Sequence, residues 1–155
     1  MTGPSALGRR LPVVLLSLAG FAIAMTLTLF QAGVLDSVWE PFFGDGSRQV
    51  LTSSVAQAIP IPDASLGAAA YLIEAVLELI GSPYRWRDRP WLVVLPGVVA
   101  AGLAAAAIGL VAAQIFIVKA FCTLCLGSAA ISLLVAVLVA PEAAAAVRRL
   151  RNRSS

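Results

Sequence analysis

From Pro90 to Pro141 the chain reads PWLVVLPGVVAAGLAAAAIGLVAAQIFIVKAFCTLCLGSAAISLLVAVLVAP, 52 residues in which Lys119 is the single charge. As one helix this stretch would be ~78 Å long at ~1.5 Å per residue, more than twice a ~30 Å hydrocarbon core. It predicts a hairpin of two membrane-spanning helices, 91–118 and 122–140, with Lys119 at the turn. Just past that turn stand the two cysteines of the chain, Cys122 and Cys125. Thiols at i and i+3 on a helix share a face and can pair after little movement. If Cys122 opens the helix, free N–H groups and the positive end of the dipole favour its thiolate, and Lys119 adds a nearby positive charge. On this reading Cys122 is the more exposed and more nucleophilic thiol, with Cys125 one turn deeper. A redox-active pair fits that geometry. Two other readings stay open at this point: small hydrophobes in a core, and half of a metal site. With no His and no third Cys in the chain, no metal is expected.

The composition points the same way. Of 155 residues, 60% are hydrophobic and 12% charged, and the mean hydropathy is +0.94. These values predict an all-α integral membrane protein with lipid as its surroundings. The net charge of +3 could suggest nucleic acid. The basic residues, however, gather at the ends of apolar segments instead of forming a stripe with interleaved aromatics, so they read as topology signals and no nucleic-acid partner is expected. The lack of His also excludes imidazole-based triads and His-ligated haem.

Working toward the N-terminus, the loop Tyr84 to Arg89 carries three arginines and one acid. Before it, residues 64–80 predict a second, short span bearing Glu74 and Glu78 on one face. Glu78 lies near the end and is expected to reach the interface. Glu74 sits ~15 Å in, where an ionisable group is either functional or paired, here with Arg85 or Arg87. Pro60 and Pro62 mark the entry to this span. From Asp36 to Asp63 the composition shifts to Pro, Gly, Ser and scattered charge, which reads as an extramembrane loop. Trp39, Phe42 and Phe43 suit a headgroup zone, and Ser47 to Ala58 suits a short interfacial helix with a stripe of Val50, Leu51 and Val55. Residues 11–35 contain no charge and predict the first span, with Arg9 and Arg10 as its anchor. A cleaved signal peptide would have an apolar region of only ~7–15 residues.

Basic residues are rich in 1–10, in the middle loop and in the tail 141–155, while the two other loops hold only Arg48 and Lys119. The expectation is a four-transmembrane-helix bundle with both termini cytoplasmic, in the inner or plasma membrane of a cell. The loop between helices 1 and 2 and the cysteine pair are then extracytoplasmic, where disulfides persist. The alanine-rich run with Gly97, Gly102 and Gly109 is expected to be the packed side of the third helix.

The segment Gln114-Ile115-Phe116-Ile117-Val118-Lys119-Ala120-Phe121-Cys122-Thr123-Leu124-Cys125-Leu126-Gly127-Ser128 resembles the hairpin and C-x-x-C of the vitamin K epoxide reductase family. Ile61-Pro62-Asp63-Ala64-Ser65-Leu66-Gly67 with Tyr71-Leu72 is similar to the start of that family's second helix, and Ser47-Arg48-Gln49-Val50-Leu51-Thr52-Ser53 to the loop before it. The resemblance covers 11–140 and includes the four-helix layout. It implies a quinone-linked thiol oxidoreductase. The C-x-x-C exchanges electrons with a quinone (menaquinone or ubiquinone) held in the bundle, and a loop cysteine pair relays them from a partner dithiol. By position, Cys122 exchanges with the relay, Cys125 lies next to the quinone, and Ser53 matches a family serine. The chain departs from the family where the loop cysteines fall, at Trp39 and Ser47. The expected partner is therefore a separate thioredoxin-fold dithiol protein reaching Cys122, with Trp39, Phe42 and Phe43 as a lid over the quinone slot.

A quinone slot also needs polar contacts for the carbonyls. Gln114 and Ser128 are placed to supply them, with an interhelical hydrogen bond as the open alternative for each. Two functions follow: an enzyme oxidising a partner dithiol at the expense of a membrane quinone, and a non-catalytic membrane subunit whose C-x-x-C disulfide is structural.

Overall fold

The computed structural model describes residues 6–54, 56–58, 60–61 and 63–154. Val55 and Pro62, residues 1–5 of the N-terminal segment and Ser155 of the tail lie outside the described residues. The elements are α1 (Leu7–Gln31), α2 (Gly46–Leu51), α3 (Asp63–Leu79), α4 (Arg85–Asp88), α5 (Trp91–Ala113), a π-helical turn (Gln114–Val118) and α6 (Thr123–Ser154). No strand occurs among the described residues. Among the described residues, three helices are long and apolar enough to cross a membrane: Gly8–Gln31, Trp91–Val118 and Thr123–Ser154. At 17 residues, α3 is only ~26 Å long and carries two carboxylates.

Small residues set how closely the helices approach. α1 and α3 run antiparallel, with the Tyr71 ring lying where a Cβ on Gly20 would be and Ala24 opposite Gly67. α5 and α6 meet at Gly97, where a Cβ would come within 2.8 Å of the Ala143 methyl. Gly102 and Gly109 differ from expectation: nothing lies within 4 Å of a Cβ at either. They border a cavity instead of a helix. Apolar clusters fill the middle of the bundle, one of Val13, Ala100, Val135 and Val139, the next of Ala24, Ala68, Tyr71 and Leu103.

The two ends of the bundle differ in character. At one end Arg10 donates to the carbonyls of Glu78 (2.8 Å), Ile80 and Gly81, satisfying the orphan acceptors that close α3. Arg85 donates to Glu78 Oε2 (2.8 Å) and to Glu142 through Nε (2.8 Å) and Nη2 (3.0 Å), and caps Leu77 and Ile80 as well. Glu78 is buried in this cluster, not at the interface. Arg85 is committed to Glu78 and Glu142, so it does not neutralise Glu74 as the sequence reading allowed. Arg153 reaches the Arg87 carbonyl at the same end. The opposite end holds α2, the π-helical turn and the cysteines, with Lys119 in a left-handed conformation (φ 57°).

α6 does not stop at Pro141. It continues as helix to Ser154, so the basic tail of the sequence reading is helical through its described residues. Proline removes one helical hydrogen bond, but the following alanines have the highest helix propensity, and Glu142 is tied to Arg85. The expected interfacial helix also contracts, to the six residues of α2.

Candidate functional site

Thr123 is the first residue of α6, so Cys122 stands at its cap. Three amides at that end, which would otherwise be orphan donors, find specific acceptors. The Cys122 amide donates to Gln114 Oε1 (3.1 Å), the Thr123 amide to Glu40 Oε2 (2.9 Å), and the Cys125 amide to Cys122 Sγ (3.1 Å). A sulfur in the capping position that accepts an N–H is held where negative charge is favoured. The cysteines are joined, with Cα atoms 5.1 Å apart, within the usual range for a disulfide.

Exposure is the reverse of the sequence expectation. Cys122 is 0% exposed, packed with Leu27, Phe30 and Leu51, whereas Cys125 is partly exposed. The reason is the loop. Gly46 lies against the Phe121 carbonyl with no room for a side chain, bringing Ser47 and Leu51 down over the cap. Glu40 fastens this arrangement. Its carboxylate accepts from the hydroxyls of Ser47 and Thr123, from the Thr123 amide and from the Phe43 amide (3.2 Å). Burial alone would raise the Glu40 carboxyl, but the hydroxyl and amide donors of Ser47, Thr123 and Phe43 outweigh it and hold it at about 2. Ser47, which stands at a loop-cysteine position of the resemblance, is thus joined to the cysteine helix by a hydrogen-bonded carboxylate.

Below the cap lies a cavity of about 770 Å³ with mostly apolar walls. Cys125, Gln114, Ser128 and Ser53 all line it, together with Tyr71 and Ser132. Four of the five site residues expected from sequence therefore meet on one cavity, with the fifth, Cys122, bonded to Cys125 behind the wall. Their polar atoms are not equally free. The Ser53 hydroxyl donates to the Val50 carbonyl (2.7 Å) and accepts from the Ala56 amide (3.3 Å). Tyr71 Oη lies 2.7 Å from the Ser128 carbonyl, 3.0 Å from Ser128 Oγ and 2.6 Å from Ser132 Oγ. Gln114 spends its carbonyl oxygen on Cys122, which leaves its amide NH2 as the donor group it can offer the cavity. The size, apolar lining and few polar groups suit a quinone ring and its hydrocarbon tail.

The expected aromatic lid is not there. Trp39 and Phe42 are 66% and 74% exposed, Phe43 packs on Phe121 with ring centroids 5.4 Å apart, and none of the three lines the cavity. Val50, Leu51 and Ser53 cover it instead. Sequence reasoning missed Glu40, Tyr71 and Glu142 as site or support residues. Their partners are 83, 57 to 61, and 57 residues away, and no local pattern announces such pairings. Among the described residues no group of three or more potential metal ligands occurs.

Fold and site together define a membrane helix bundle that holds a C-x-x-C at disulfide distance on the wall of an apolar cavity. The family model for the vitamin K epoxide reductase family matches residues 11–140, and the chain belongs to that family. Its members are in general membrane oxidoreductases of thiols and use quinones. No protein of curated function matches the chain.

Proposed function

We propose that this protein is a quinone-linked thiol/disulfide oxidoreductase of the inner or plasma membrane, with the C-x-x-C on the extracytoplasmic side and α3 as a fourth span. The observation that carries the reading is the position of Cys125, on the wall of the apolar cavity and bonded to the cap residue Cys122. A thiolate of a separate thioredoxin-fold dithiol protein attacks Cys122, forming a mixed disulfide and releasing Cys125 as thiolate. The partner's second thiol then resolves the bond, so the partner leaves as a disulfide and Cys122 and Cys125 are left reduced. A bound quinone supplies the two-electron, two-proton acceptor that allows the pair to re-form its disulfide. Gln114 orients the carbonyl nearest Cys125 through its side-chain amide, while Ser128 and Ser53 shape the polar edge. Glu40 and α2 must lift from the cap before any partner reaches Cys122.

The test is direct. Protein purified in detergent and supplied with a dithiol and a short-chain benzoquinone should produce quinol, and Cys125→Ser should abolish this; offered the partner in its disulfide form, the lone Cys122 thiolate should exchange into it and give a mixed-disulfide adduct. A second reading, a structural disulfide in a non-catalytic subunit, is favoured by Trp39 and Ser47 in place of relay cysteines and by the burial of Cys122. It prevails if the wild-type pair resists reduction by dithiols, forms no adduct in the Cys125→Ser variant, and yields no quinol.

A further inference from the structure

One face of α3 carries Tyr71, Glu74 and Glu78, at i, i+3 and i+7, all buried. Its two ends have clear partners. Tyr71 meets Ser128 and Ser132 on the cavity, and Glu78 meets Arg85 and through it Glu142 at the opposite end of the bundle. Glu74, between them, is 0% exposed and neither of its oxygens has a hydrogen-bond partner. A carboxyl in such a place is strongly disfavoured if charged and alone, and ionisable groups inside a membrane mark functional sites.

A second orphan faces it. The antiparallel register of α1 on α3 sets Gly20 against Tyr71, Ala24 against Gly67 and Arg10 against Gly81, which brings Ser17 opposite Glu74. Ser17 is 0% exposed, and its hydroxyl too is without a partner. Tyr71 and Glu78 stand one turn to either side of Glu74 on this face, so Glu74 lies between the cavity, which Tyr71 lines and Glu74 does not, and the Arg85 cluster. Buried polar groups left over in this way are the usual seats of bridging water.

We propose that Tyr71, Glu74 and Glu78 form a proton path from the arginine-rich end of the bundle to the cavity, with Glu74 as the carrier. This rests on the quinone reading for what receives the proton. Two-electron reduction of a quinone consumes two protons, and oxidation of the Cys122–Cys125 dithiol releases two; the path makes these different protons. Glu74 passes its proton along the hydroxyls of Tyr71 and Ser128 to the cavity and is reprotonated from the Glu78–Arg85–Glu142 cluster, twice per turnover. The two protons from the thiols leave at the cysteine end. The charged or titratable groups nearest Glu74 are Tyr71 and Glu78 on its own helix, Arg85 from α4 and Glu142 from α6, with Arg10 from α1 on the Glu78 carbonyl; α5 contributes none.

The experiment uses the full chain inserted in one orientation in vesicles, with a pH dye on the side away from the cysteines and a short-chain benzoquinone and impermeant dithiol as substrates. Wild type should take up protons on that far side during turnover. Glu74→Gln should lose this uptake and slow quinol formation by roughly 10²-fold, the usual worth of a positioned proton donor, and Glu74→Asp should restore part of it. A second measurement needs neither a variant nor turnover: dicyclohexylcarbodiimide, which modifies protonated carboxyls in apolar surroundings, should label Glu74 in the wild-type protein, as mapped by mass spectrometry. Far-side uptake that persists in Glu74→Gln, or a Glu74 that the carbodiimide leaves unmodified, overturns the proposal. A wild type that makes no quinol but is labelled at Glu74 sinks the quinone reading while leaving the protonated carboxyl in place.

Discussion

Glu40 sets the state of the cysteine helix. Its carboxylate lies at the positive end of α6, so it does to the dipole what a thiolate at Cys122 would do, and the two negative charges compete for the same donors. Removing the charge in Glu40→Gln should favour the Cys122 thiolate by about 0.3–1 kcal/mol, roughly 2- to 5-fold in thiolate population, and loosen the loop over it. The expected outcome is faster alkylation of Cys122, measured in Cys125→Ser with and without Glu40→Gln; an unchanged or slower rate contradicts it. The acid side of the stability curve carries the same signature. Because the folded carboxyl is lowered from 4.5 to about 2, the clasp contributes fully above 4.5, and its contribution is lost as pH falls through about 2. The difference in melting temperature between wild type and Glu40→Gln should therefore shrink over that interval and stay level above it. None of this was legible from sequence, where Glu40 is one acid in a loop rich in turn residues. The cysteine pair was legible, because both its spacing and its place at a helix mouth are local.

At the level of elements, the glycines of α5 separate packing from cavity. Gly97→Ala pushes a methyl onto Ala143, and overpacking of this kind costs about 1–3 kcal/mol. Gly102→Ala meets open space and should be tolerated, while Gly102→Leu should fold yet weaken quinone binding by occupying the slot. Thermal unfolding in detergent and a quinone titration separate the three. From sequence all three glycines looked alike, since a run of small residues says that something lies close to the helix without saying whether it is a neighbour or a ligand. The arginine cluster joins four elements at once. Arg85→Met leaves Glu78 and Glu142 buried without their cation and should cost about 3–5 kcal/mol. Adding Glu78→Gln and Glu142→Gln should recover much of that loss, and a triple variant no more stable than Arg85→Met speaks against an ionic origin. Glu142 falls in the segment read from sequence as the basic tail 141–155. Its pairing with Arg85, 57 residues away, is a tertiary contact that no local pattern encodes.

Across the whole molecule, the apolar periods made the hairpin and the first helix readable, because long uncharged segments have few other homes. α3 was less certain from its own residues, being short and twice acidic, and it is the tertiary cluster that explains how those acids are held. The basic residues also make the two ends of the bundle unlike. Of eleven basic residues, only Arg48 and Lys119 belong to the end that carries the cysteines; the others lie toward or beyond the Arg85 end. Lys and Arg in short loops remain on the cytoplasmic side during insertion, and this distribution supports the topology proposed above, with the Arg85 end cytoplasmic and Cys122 outward. A single thiol placed at Ser82, exposed between α3 and α4, reports this in a background with Cys122→Ser and Cys125→Ser. In intact cells it should stay unlabelled by an impermeant maleimide and become labelled once the membrane is opened. A thiol at Lys119, exposed in the turn before α6, should give the opposite pattern. Labelling of the Ser82 position in intact cells would turn the molecule over, place the C-x-x-C in a reducing compartment, and contradict the proposed topology.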